Sequence, residues 1–92
     1  MIKQLRVSST TPVPDLAGSI TNNLKTLKHI EARAIGASAN SQLVKAIAAS
    51  TNHLKEEDKT INVHINFDTV MHDGREKTVM VFSLVLKDIK EV

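Results

Sequence analysis

The chain has 92 residues, 41% hydrophobic and 24% charged, with a formal net charge of +2 and no cysteine. That length fits one domain over residues 1–92, and the missing cysteine excludes disulfides, thiolate nucleophiles and cysteine zinc sites. No apolar run approaches the roughly 20 residues of a membrane span, and MIKQLRVSST lacks the apolar core and cleavage site of a signal peptide, so cytoplasmic residence is the expectation.

Ile2–Ser8 reads as a strand, with Leu5 and Val7 alternating against Gln4, Arg6 and Ser8. Pro12 and Pro14 end it, and Pro14 followed by Asp15 suits a helix first turn. Leu16, Ala17, Ile20, Leu24 and Leu27 then recur at helical spacing, predicting a first helix over about 14–28. Gly18 falls inside it, where close packing against a strand would explain it. His29–Ile35 is a second strand, whose Ile30, Ala32 and Ala34 imply a helix pressed close. Gly36 breaks that strand. A second helix follows over about 39–54, with Ser38, Asn40 and Ser41 as alternative caps. LKEEDK, Leu54–Lys59, is a charged connector.

Thr60–Met71 alternates Ile61, Val63, Ile65 and Phe67 against polar residues, as a half-buried strand does. Asp73-Gly74 is a strong hairpin signal, because a type I′ turn needs positive φ at both central residues. The return strand, Lys77–Lys87, is apolar on both faces, which suits a central position. The last five residues are expected to fray. The two phenylalanines, Phe67 and Phe82, are expected in the core, so base stacking on aromatics is not supported.

The order is therefore β-α-β-α-β-β. Right-handed crossovers place both helices on one face, and a central last strand gives a mixed four-stranded sheet of order 1-2-4-3. The fold class is a two-layer α/β (α+β) sandwich. In this topology Ser8–Thr11, Gly36–Gln42 and His72–Lys77 converge on the carboxyl edge of the parallel strands, where open α/β sheets usually hold a ligand. Strand, glycine, then a polar helix start is how a chain presents backbone N–H groups to an anion. Charge agrees: residues 1–46 carry six Lys/Arg against two carboxylates, a net +4, whereas residues 47–92 are net −2.

Other chemistry is not signalled. The four histidines show no metal spacing, no nucleophilic triad can be argued, and no glycine motif for a dinucleotide or a P-loop occurs. No catalytic residue, metal or cofactor is expected. Arg6 and Arg33 point from the sheet face opposite the helices, where they solubilise it.

Val7–Ser9 (VSS), Leu16–Gly18 (LAG), Ala34–Ala37 (AIGA), Gln42–Ala48 (QLVKAIA), and Phe67 with Asp73–Thr78 resemble the stage V sporulation protein S family at similar spacing over nearly the whole chain. That family is similar to the Alba superfamily of small chromatin- and RNA-associated proteins. The resemblance implies the same β-α-β-α-β-β sandwich, usually dimeric, and binding of nucleic acid through the first β-α loop and the hairpin. It also implies a regulatory or architectural role in bacterial development. This chain departs from that pattern at Thr10, where relatives commonly carry lysine, at Ser38, Asn40 and Ser41, and at Val81, where a charge is common.

The expected nucleic-acid-binding residues are Ser9, Thr10, Gly36, Ser38 and Ser41, positioning phosphates through backbone N–H and hydroxyl groups. Gln42, one helical turn before Lys45, is expected to bind nucleic acid as well. Lys45, Arg75 and Lys77 supply charge, and such contacts give weak sequence selectivity. The alternative is a protein–protein interaction module that dimerises through Val79, Val81 and Val85 of the last strand.

Overall fold

The computed structural model describes residues 2–91. Its elements are β1 (Lys3–Val7), α1 (Val13–Leu27), β2 (His29–Ile35), α2 (Ala37–Lys55), β3 (Lys59–His72), β4 (Arg75–Asp88) and a 3-10 turn (Ile89–Glu91). The sheet order is β1-β2-β4-β3. β1 pairs parallel to β2, and β4 pairs antiparallel to both β2 and β3. The expected topology is the observed one.

The register explains which residues are buried. Leu5, Ala32 and Phe82 stand side by side, as do Val7, Ala34 and Met80, so one face of the sheet is continuously apolar. Ala32 and Ala34 are fully buried, because a small side chain lets a helix approach closely. α1 supplies Leu16, Ala17, Ile20 and Leu24, and α2 supplies Ala39, Leu43, Ala46 and Leu54. Inside the helix pair, Thr21 Oγ1 donates to the Ala17 carbonyl at 2.9 Å, so its bond of 2.7 Å to Ser50 is donated by the Ser50 hydroxyl. Both buried hydroxyls are thereby satisfied.

Several expectations need correction. α1 starts one residue early and stops at Leu27, because Lys28 takes a left-handed φ of 70° and donates its N–H to Leu24. Gly18 is not required by packing, since a Cβ built there meets nothing within 4 Å. The connector shrinks to three residues, 56–58, and β3 and β4 are longer than expected at both ends. Residues 88–91 take regular structure: Asp88 pairs in register with Lys59, Ile89–Glu91 form a 3-10 turn, and Ile89 N–H donates to Asp58 at 2.9 Å. Val92 lies outside the described residues.

The largest correction concerns β3. Phe82 is buried, but Phe67 is 73% exposed. Val63 is 39% exposed and Ile65 55%, while Ile61 packs on the core. All four share the helix-side face, since they pair with Leu84, Phe82, Met80 and Leu86. α2 runs back from the carboxyl end of β2 to the start of β3. It covers the Ile61 end and progressively uncovers the rest.

Candidate nucleic-acid interface

The end of β2 sets the geometry of the candidate site. Gly36 adopts φ 88° and ψ 160°, a conformation open to glycine alone. It is also the N-cap of α2, which therefore begins at Ala37, two residues before expectation, and none of Ser38, Asn40 and Ser41 caps it. The N–H groups of Ala37, Ser38 and Ala39 lack intrahelical carbonyls; the first bond runs from Asn40 N–H to Gly36 at 3.1 Å. No acidic residue occupies this first turn. The positive end of the α2 dipole is thus uncompensated by its own sequence. Asn40 Nδ2 donates to the Gly36 carbonyl at 2.8 Å, holding the turn, while its enclosed Oδ1 has no partner among the described residues.

The first loop behaves differently. Thr11 Oγ1 accepts from Ser8 N–H at 2.9 Å, Ser8 Oγ lies 3.1 Å from both Thr10 and Thr11 hydroxyls, and Thr10 N–H points to Ser8 Oγ at 3.3 Å. These hydroxyls close the turn on itself, which is local turn chemistry. Ser9 and Thr10 remain exposed at its tip. Gln42 does not project toward solvent as a ligand contact. Its Nε2 donates to the Thr11 carbonyl at 2.8 Å and ties the first loop to α2. Glutamine at this position is a partial signal, since its long amide can reach a neighbouring element and donate to a carbonyl, but which carbonyl it meets is set by the packing of the two elements.

Ser38, Ser41 and Lys45 are exposed on the first three turns of α2. At the hairpin, Asp73 and Gly74 have φ of 51° and 75°, as the type I′ reading requires. The turn lies at the same end of the sheet as Gly36, because β3 runs parallel to β2. It does not close over the loops, however. β2 pairs with β4 only as far as Ile35 opposite Val79, whereas β3 and β4 continue for four further pairs to His72 opposite Arg75. At about 3.4 Å per residue the arm reaches roughly 14 Å past Ile35. Strand alternation puts Arg75 and Lys77 on the row of Val79 and Val81, the open face, rather than toward α2. The structure therefore gathers Ser9, Thr10, Gly36, Ser38, Ser41, Gln42 and Lys45 along a rim, and sets Arg75 and Lys77 apart on a projecting arm.

The valines proposed for partner binding sit on the open face of β4, where Val79 is buried and Val81 and Val85 are half-buried. The more exposed apolar surface is the Val63, Ile65, Phe67 row of β3. Among the described residues no helix is long and apolar enough to cross a membrane, and no three His, Asp or Glu cluster as metal ligands would.

Comparison with known proteins agrees with this architecture. A family model described as Stage V sporulation protein S matches residues 3–87. Among solved structures, Alba from Thermoplasma volcanium is similar in fold, with a TM-score of 0.62 at 14% identity, covering 92% of this chain and 99% of that one. No curated protein matches the chain.

Proposed function

The chain belongs to the Stage V sporulation protein S family, and from that premise we propose that it is a nucleic-acid-binding protein with a regulatory or architectural role in bacterial development, acting without catalysis. The observation that carries this reading is the bare N-terminus of α2. Three backbone N–H groups, no first-turn carboxylate and exposed Ser38, Ser41 and Lys45 form an anion-binding rim. Arg75 and Lys77 lie on the open face of the projecting arm, apart from the rim, and add charge for a partner that continues past the rim onto that face. A duplex or strand lying along the rim would meet backbone donors and lysine, then the arm. Such contacts go to phosphates, so binding is weakly selective.

With about three to six phosphates neutralised, log K falls against log salt with a slope near −0.9 per phosphate on duplex DNA. A gel-shift series across salt, run with duplex DNA and with RNA, tests this. Retardation that fades with salt is the expected result; no retarded band at low salt overturns it.

We further propose that the chain forms a homodimer, which the exposed β3 row supports. A long edge strand with Ile65 and Phe67 exposed is a hazard unless covered, and a second copy of the same row covers it. Light scattering of the wild type and of Phe67→Lys tests this, with a dimer expected for the first and a monomer for the second. The same surface favours the rival reading, a protein–protein interaction module without nucleic acid. That reading gains if self-association is present and the gel-shift series stays blank.

A further inference from the structure

Arg6 and Arg33 occupy directly opposed positions on β1 and β2, on the sheet face that carries no helix. Solubility alone does not account for them. Like charges placed opposite each other across a strand pair are destabilising, and here they line a cleft rather than flat surface. The cleft, of about 540 Å³, lies at the root of the hairpin arm, with Gln4, Ile35, Val70, His72 and Val79 among its other lining residues. Its size falls in the range of small-molecule sites, and so does its make-up of apolar walls with a few polar groups.

The charge inventory of the cleft is unbalanced. The Arg33 side chain is only 23% exposed, and its one anionic partner among the described residues is Asp68 at a long 3.4 Å. Arg6 has no ion pair or hydrogen bond among the described residues. Glu31 shares the open face but stands one row along, opposite Gln4, and pairs with neither arginine. Guanidinium forks match phosphate oxygens bidentately, so an anion between Arg6 and Arg33 would relieve their repulsion. A bare ion would leave the apolar walls unused.

The geometry points to a binding site in this cleft for a small phosphate monoester with a compact planar body, of mononucleotide size. The phosphate lies between Arg6 and Arg33, and the body packs on Ile35, Val70 and Val79. The rim around Gly36 is not part of this site, so the assignment does not rest on the nucleic-acid reading. A free mononucleotide and the 5′-phosphorylated end of a strand present the same group.

The test titrates the full chain with guanosine monophosphate, guanosine and inorganic phosphate, followed by amide chemical shifts and calorimetry. Guanosine monophosphate should shift Gln4, Arg6, Arg33, Ile35 and Val79. Guanosine should leave them unmoved, and inorganic phosphate should compete only at higher concentration. Arg6→Gln should weaken binding at least tenfold, with Arg6→Lys intermediate because it keeps charge but loses the fork. A 5′-phosphorylated dinucleotide giving the same shifts, where its 5′-hydroxyl form gives none, would add the strand end as a source of the ligand. Shifts centred on Gly36 and Ser38, unchanged affinity in Arg6→Gln, or no shifts at millimolar ligand would overturn the proposal. Gel shifts of Arg6→Gln separate the two sites. Retained retardation with lost mononucleotide binding gives the cleft its own ligand. Loss of both, with 5′-hydroxyl strands as much as with 5′-phosphorylated ones, makes the cleft part of the nucleic-acid surface and overturns it.

Discussion

The starts of α1 and α2 stand at the same end of the sheet and meet their orphan N–H groups in different ways. α1 follows Pro12, carries Pro14 in its first turn and adds Asp15 there. Proline removes a donor that would otherwise need a partner, and the carboxylate answers the dipole. α2 follows Gly36 and carries no acidic residue in its first turn. Its donors keep their protons outward and its field stays positive. The sequence of α1 silences a helix end, and that of α2 leaves one available. Two loops with similar small and hydroxyl residues are thus chemically unequal.

That contrast can be broken most severely at its glycine. Gly36→Ala forces a side chain into a backbone conformation that costs about 1–3 kcal/mol, and chemical denaturation should show a loss of that size. Gly18→Ala is the counterpart within α1: with open space around the new methyl, it should stabilise by about 0.5–1 kcal/mol. If both substitutions move stability alike, backbone conformation is not what separates the two glycines.

Ser38→Glu sharpens the comparison by copying the α1 solution into α2. The carboxylate should stabilise the helix by about 0.3–1 kcal/mol while weakening nucleic-acid binding about tenfold, equivalent to about 1.4 kcal/mol. Opposite signs in melting and gel-shift experiments are the signature sought. Asp15→Asn runs the reverse experiment on α1, losing about 0.3–1 kcal/mol of stability and tightening nucleic-acid binding slightly. The smallest effect belongs to Lys45→Gln, which should flatten the salt dependence by about 0.9 in log–log slope and leave stability within about 0.5 kcal/mol.

Much of the architecture was legible in the residues, for identifiable reasons. Val79–Leu86 is apolar on both faces, which only a central strand can bury, and β4 is central. Asp73-Gly74 states its turn type locally, because few pairs tolerate two positive φ values. The exposure of Phe67 was not legible. Alternation reports which side of a strand a residue faces, not whether another layer reaches that far. The start of α2 was misplaced for a related reason: Ser38, Asn40 and Ser41 all look like caps, and Gly36 takes the position by conformation instead. The candidate rim was partly legible. Glycine and chain direction located it, but the bond of Gln42 to Thr11 depends on a distance between two elements that sequence order does not carry. The Arg6 and Arg33 cleft was invisible, since it requires the register of β1 against β2.

The four outermost pairs of the hairpin arm extend beyond the last pair of β2 with β4, so only β3 and β4 share their ladder. Their amides can therefore exchange with solvent through openings that leave the rest of the protein intact. The arm's length can change without breaking a pair between β2 and β4. The protein can thus revise what it touches at a distance while keeping the same frame.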